Sequence, residues 1–402
     1  MALHLLVWCR MMIGKYVKFK PLLGLPPLVE GMREKLLLLL SMVAVAMIAL
    51  LALQLALSWF APGFYTPYGA WWLLDMVGYA VSLTTILAAT GLMGRYLTIA
   101  PKNIDALKAA MLATMAGVIG GALLVFAGLS SLLGAELTMQ LGFTALLFAL
   151  VPSLFSWLLS PLLINLIYGC KPDPVLQEIV NRVAARAGMK PPKAMIARMR
   201  EPNAFAYSSP LFGRYVAVTE GMLQLARGEE LEAVIGHELG HHKHRDNAVM
   251  LIFGLVPSII YFLGRYLTYA GFYSSSYRYD GDRNRRGGGG ILILAGIALM
   301  AVSVVMQLVV LALSRLREHF ADAHGAKVSS PDAMIAALEG LDSFYSRYRV
   351  ARARVNASKM KMLFIYALAD PFVGLEELFA SHPPIPKRIA FLRALKGAPI
   401  EA

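Results

Sequence analysis

Residues Glu229–Phe272 read EELEAVIGHELGHHKHRDNAVMLIFGLVPSIIYFLGRYLTYAGF, and two kinds of helix meet within them. As far as Arg245 the apolar residues recur at helical spacing among charges. From Ala248 the chain turns into an apolar run longer than the about 20 residues that cross a hydrocarbon core. Just before that run stands HELGH, His237 to His241. Histidines four apart lie one above the other on one helical face, so both imidazoles can reach a single tetrahedral Zn²⁺. Glu238, next to the first histidine, leans over the open position of such a metal, where it can take a proton from water. The run starts seven residues beyond His241, which puts the metal near a membrane surface.

The rest of the chain agrees with a membrane setting. Of 402 residues, 58% are hydrophobic and 16% charged, against about 45–50% and about 25% in soluble domains. That balance excludes a purely soluble protein and, still more, a disordered one. Four apolar stretches precede the motif, Leu36–Trp59, Trp71–Met93, Ala109–Leu133 and Leu141–Tyr168, and two follow it, Ala248–Phe272 and Ile291–Ser314. The fold class is therefore mostly α: a polytopic membrane protein of about six spans, with Pro152, Pro161 and Pro257 expected to kink two of them. The net charge of 38 − 25 = +13 is assigned to lysines and arginines at span ends facing anionic lipid, not to nucleic acid. Cys9 and Cys170 provide neither a disulfide framework nor a thiolate metal cluster. The start, MALHLLVWCRMMIGKYVKFK, places its apolar part before its basic part and reads as an interfacial segment.

Basic residues orient the spans. Arg10, Lys15, Lys18, Lys20, Arg33 and Lys35 precede the first; the loop Pro62–Ala70 is uncharged; Arg95, Lys102 and Lys108 follow the second; only Glu136 lies in the next loop. The alternation expects residues 1–35, the second loop and everything after the fourth span to be cytosolic, in a plasma or inner membrane. Arg278, Arg283, Arg285 and Arg286, in the loop between the last two spans, run against the rule. Asp75 and Arg265 lie near span ends, where snorkelling to the interface competes with a buried role. The expected organisation is a four-span region over 36–170, a soluble domain from 171–247 and 315–402, and a two-span hairpin over 248–314 inserted into it. The soluble part reads as mixed α+β: helices at Val175–Ala187, Glu229–Arg245 and from Pro331 towards Tyr345, and strands at Ala194–Met199 and Arg214–Thr219. Glu201–Pro210, between the strands, is rich in turn residues.

Topology restricts the third metal ligand. A two-span hairpin returns the chain to the face it left, so SRLREHFADAHGA, just after Ser314, comes back to the histidines. It carries Glu318, which completes a three-ligand site with one open position, the arrangement of a catalytic zinc. Asp322, one turn further on, can accept a hydrogen bond from a ligand imidazole and fix its tautomer.

The segments EELEAVIGHELGHHKHRD, SRLREHFADAHGA and SHPPIPKRI, with EPNAFA followed by VAVTEGML, resemble the HtpX and CAAX prenyl protease superfamily of membrane zinc metallopeptidases, especially its HtpX-type branch. The resemblance runs from about residue 175 to 393 with the motifs in the family's order. It implies a gluzincin-like catalytic domain holding one Zn²⁺ on His237, His241 and Glu318, with Glu238 as general base. It also implies that Asn203, Ala204 and Phe205 belong to an edge strand pairing with extended substrate, and that His382 stabilises the oxyanion. Asn203 equally suits a turn after Pro202, and His382 a loop turn; Arg388 is expected to make a structural contact. The leading spans depart from the family, whose HtpX-type members commonly have fewer and whose CAAX branch has more. The expected activity is endoproteolysis at the cytosolic membrane surface, with misfolded or damaged membrane proteins as substrates, the bilayer as a partner, and lipid head groups touching Arg347–Lys361. Cleavage of prenylated or other lipid-modified peptides, and a non-catalytic zinc scaffold, are the competing readings.

Overall fold

The computed structural model describes residues 100–276, 288–348 and 382–396, with Thr85 besides. The expected span Leu36–Trp59, all of Trp71–Met93 but Thr85, the segment 1–35, Asp75, Cys9, the four loop arginines and nearly all of Arg347–Lys361 lie outside the described residues.

In chain order the elements are α1 (Ile104–Leu133), α2 (Ala135–Tyr168), β1 (Lys171–Pro172), α3 (Pro174–Arg186), β2 (Lys193–Ala197), β3 (Ala204–Ser209), β4 (Gly213–Thr219) and α4 (Glu220–Leu225). The zinc-motif helix α5 (Glu229–Lys243), α6 (Asp246–Ser276), α7 (Gly288–Val328), α8 (Pro331–Arg347) and α9 (Ile385–Ala394) follow. Among the described residues, α1, α2, α6 and α7 are long and apolar enough to cross a membrane. Asn103 starts α1 earlier than expected because its side chain accepts the Ala106 N–H at 2.8 Å, satisfying a donor the helix itself leaves open. Gly169, at φ +58, ends α2 in the left-handed conformation glycine adopts without steric cost. The helices run on through Pro152, Pro161 and Pro257.

One expectation needs correction, and one element is longer than its apolar part. The last span and the segment that carries Glu318 and Asp322 form one helix, α7, unbroken for 41 residues from Gly288 to Val328. Apolar composition stops at Ser314, but RLREHFADAHGAKV contains no proline and mostly good helix formers, so nothing there ends the helix. The turn-rich reading of Glu201–Pro210 gives way to strand over Ala204–Ser209. Pairing with β4 and burial on both faces override weak local propensity.

The sheet has order β1-β2-β4-β3, with β2 parallel to β4 and the other pairs antiparallel. Alternation of period two divides its side chains between two cores. Ala204, Val216 and Val218 face Val180, Val234, Leu239 and Leu338 of α3, α5 and α8. Phe205, Tyr207, Tyr215 and Ala217 face the other way, onto Ile164 and Tyr168 at the end of α2. Tyr207 Oη donates to Asn165 Oδ1 at 2.5 Å. A membrane helix thus closes one face of the catalytic domain's sheet.

Candidate active site and metal centre

Helix α5 carries Glu229, Glu230 and Glu232 in its first turn and His241, His242 and Lys243 in its last, the polarity that suits the helix dipole. Its middle is buried and crosses α7 at very short range. A Cβ on Gly236 would lie 3.1 Å from Gly325 Cα, one on Gly240 3.2 Å from Ala321 Cα, and one on Gly325 2.7 Å from Ala233 O. The glycines let the backbones approach, which brings Glu318 over His237 and His241. His324 Nδ1, 2.8 Å from Gly236 O, fastens the crossing. Gly325→Val should therefore push the helices apart, destabilise the fold by about 3 kcal/mol and lower zinc affinity. Thermal unfolding in detergent and zinc titration check this, and an unchanged zinc affinity would refute it.

The three candidate ligands converge. His237 Nε2 and His241 Nε2 are 3.2 Å apart, and they lie 3.6 and 3.7 Å from Glu318 Oε2 and Oε1. Their partners settle which nitrogens bear lone pairs. His237 Nδ1 is 2.9 Å from Asp322 Oδ1, and His241 Nδ1 is 2.7 Å from Asp246 Oδ2. Carboxylates only accept, so the hydrogen bond to Asp246 puts the proton on His241 Nδ1. His237 Nδ1 lies close to Asp322 without an aligned hydrogen bond, but the carboxylate's charge favours the proton there too, which turns both Nε2 lone pairs to the centre. Glu318 Oε2 is buried and has no hydrogen-bond partner among the described residues. Two imidazole lone pairs and a buried carboxylate facing one another need a cation, and two nitrogens with one oxygen suit zinc. Burial holds the His237 imidazolium pKa down at about 4 against the opposing pull of Asp322, so the ring is neutral and able to ligate.

Buried pairs stand behind both histidines. Arg388 donates from Nε to Asp322 Oδ2 at 2.8 Å and from its Nη2 to Oδ1 at 2.5 Å. Arg317 donates to Asp246, which backs His241, and to His244 O at 2.9 Å. Asp322, one helical turn after Glu318, lies beside the His237 ring. Asp246 and Arg317 were missed; the available signal was an acidic residue five positions after the second histidine. Its reach depends on Arg245, whose φ of +53 breaks α5 and turns the chain into α6.

A cavity of about 240 Å³ opens beside the ligands. Ala204, Phe205 and Ala206 of β3 line it with Glu238 and His382, and Asn247, Met250 and Ser314 come from the membrane helices. Glu238 is buried; burial raises its carboxyl pKa, offset in part by His241 and a bond from the Ala206 backbone. His382 Nε2 lies 3.3 Å from Glu318 Oε1, and burial keeps its ring neutral. Asn203 is buried outside the cavity lining, with its N–H on Thr219 Oγ1 and its C=O on the Thr219 N–H.

His242 points away from the metal, its Nε2 2.8 Å from Tyr215 O. Burial lowers its pKa to about 4 despite that bond, while an unfolded histidine titrates near about 6.5. The unfolded chain therefore takes up the proton first, and stability falls as pH drops from about 6.5 towards 4. In chelator-treated protein, His242→Gln should lessen the acid loss of melting temperature by this residue's share, because the amide nitrogen can keep the bond without titrating. His237, His244 and His382, also held neutral by burial, keep their shares. An unaltered pH profile would refute the assignment.

The chemistry this geometry defines is peptide hydrolysis by a membrane-bound zinc enzyme. The chain belongs to peptidase family M48, whose pattern matches residues 171–396, and to its HtpX-type branch. It is 41% identical over 321 residues to a protein named Protease HtpX homolog from Pyrobaculum calidifontis, covering 70% of this chain and 91% of that one. It is 41% identical over 344 residues to the one from Archaeoglobus fulgidus, covering 81% and 96%. The crystal structure of S. mikatae Ste24p aligns with a TM-score of 0.45 at 19% identity, over 79% of this chain and 75% of that one.

Proposed function

We propose that the enzyme cuts misfolded or damaged membrane proteins where their unfolded segments leave the bilayer, on the cytosolic face. The observation that carries this reading is the cavity wall: sheet edge on one side, first turn of α6 and membrane helix α7 on the other. A peptide reaching Glu238 is then in contact with both. Strand β3 ends the sheet among the described residues, so an extended segment can add to it by backbone pairing, which accepts many sequences. That breadth suits substrates chosen for being unfolded.

Zinc held by His237, His241 and Glu318 would polarise the scissile carbonyl and acidify the attacking water. Glu238 takes the water's proton and returns it to the leaving amine; burial, by raising its affinity for the proton, suits both transfers. His382, as a neutral imidazole, donates a hydrogen bond to the developing oxyanion. Asp322 with Arg388, and Asp246 with Arg317, hold the histidine rings in the protonation state that ligation needs.

The test is a single membrane protein reconstituted in nanodiscs, either native or carrying a destabilising core substitution, offered to the enzyme with unfolded casein as reference. Faster cleavage of the destabilised form, at sites near its span ends, is expected. Equal rates on both forms, with casein cut normally, would refute the substrate reading and leave the peptidase intact.

A further inference from the structure

The β3–β4 hairpin ends in Ser209-Pro210-Leu211-Phe212-Gly213, and its tip is apolar and open: Leu211 is 66% exposed and Phe212 37%. Large apolar side chains at a hairpin tip forfeit burial energy in water. Neither serves the cavity.

Two independent contacts give the tip's height. Phe205 packs against Tyr168 of α2 with ring centroids 5.2 Å apart and the rings tilted, whereas Tyr207, two residues further along β3, bonds Asn165, nearly one turn earlier in α2. The strand therefore descends alongside α2, away from its C-terminal end. Exposed apolar side chains of α2, a helix long and apolar enough to cross a membrane, continue almost to that end: Leu162, Leu163, Leu166 and Ile167. Tyr207 already lies level with this band. On the other side, Asn247 Nδ2 donates to Ser208 Oγ at 3.3 Å, tying the strand to the first turn of α6 just before its own exposed apolar residue, Ile252. Two further strand residues carry β3 from Tyr207 to Ser209, about 7 Å deeper, and the turn that holds Leu211 lies beyond them.

The tip's backbone suits a poorly hydrated place, where an unmet N–H is costly. Pro210 has no N–H, that of Phe212 goes to Ser209 Oγ at 3.2 Å, and Gly213 pairs with Ser209 in the ladder, which leaves the N–H of Leu211 to water or head groups at the boundary. Arg214 follows directly and is exposed, placed for a lipid phosphate.

We infer that the Pro210–Phe212 tip is immersed in the bilayer at the boundary between head groups and acyl chains, on the side where the catalytic domain sits. It is a second membrane anchor besides the helices. Since the tip continues directly from the strand that forms the cavity wall, the anchor fixes the height of Ala204–Ala206 relative to the lipid.

The full chain in lipid nanodiscs tests this. With Cys9→Ser and Cys170→Ser in place, Leu211→Cys carries a nitroxide label, and its accessibility to oxygen and to a water-soluble nickel complex is compared with two reference positions. Leu166→Cys, on the lipid-facing side of α2, gives the bilayer value; Arg227→Cys, before α5, gives the water value. Greater access to oxygen than to nickel at Leu211, as at Leu166, is expected; values matching Arg227 would overturn the inference. Should the cysteine replacements fail to fold, Phe212→Trp in the otherwise native chain answers the same question. Its added emission, after subtraction of the parent's tryptophans, should be blue-shifted and quenched by lipids brominated near the head group. Added emission at the wavelength of tryptophan in water, without bromolipid quenching, would overturn the inference equally.

Discussion

Glu238→Gln is expected to lower kcat on unfolded casein by about 10³-fold while zinc content stays that of the parent. Glutamine keeps the shape and can still contact the Ala206 backbone, but it cannot take up a proton, and general base catalysis is worth about 10²–10⁴-fold. Because Glu238 is not among the converging ligands His237, His241 and Glu318, removing its charge leaves the metal's three protein donors in place. The measurement pairs a cleavage assay with metal analysis on the same preparation. A variant that still cuts at a tenth of the parent rate or better would sink the assignment of the base. Loss of zinc together with activity would show instead that the carboxylate holds the centre together.

Arg388→Ala should have the largest structural effect of any single change near the site. Arg388 and Asp322 are both fully buried and joined by two hydrogen bonds. Burial alone would lower the guanidinium's pKa, but Asp322 overcomes it and holds the value raised. Truncation strands a carboxylate in the interior, which costs about 3–5 kcal/mol, and frees the group that aligns the His237 ring. Zinc affinity should fall by about 10–100-fold in consequence. Arg388→Lys, keeping the charge but not the fork, should land between parent and alanine. Thermal unfolding with and without chelator, and competition for zinc against a chelator of known strength, read the two effects separately. Parent-like zinc affinity in Arg388→Ala would show that Asp322 aligns His237 without help.

What could be read from the sequence was whatever follows from local spacing. His237 and His241 share a helical face by arithmetic, and an even number of crossings returns Glu318 to them. Asp322 follows Glu318 by one turn on the same helix. The parts that stayed hidden depend on distant partners. Nothing near Arg388 announces Asp322, 66 residues earlier, and nothing at Asp246 announces that a left-handed Arg245 aims it back at His241. Strand β3 was signalled by the resemblance but concealed in its own residues, whose Pro, Asn and Ser neighbours carry turn signals, because its strand character comes from β4 and from α2 beneath it. The glycines of α5 and α7 read as weak points of single helices. Only their crossing gives them a purpose.

Helix α7 joins the bilayer to the metal site without a hinge. A flexible link after Ser314 would let Glu318 sample many positions, and each would have to be surrendered when the metal is gathered, at roughly 1–2 kcal/mol per residue ordered. An unbroken helix has lost that freedom on folding, before any metal arrives. The same stiffness carries a mechanical consequence. Four residues of helix, a rise of about 6 Å, separate Ser314 from the third ligand, so a tilt of the transmembrane part displaces the carboxylate with it. The peptidase centre is thus a strut-mounted device, and the lipid that sets the angle of the strut also sets the alignment of the catalyst.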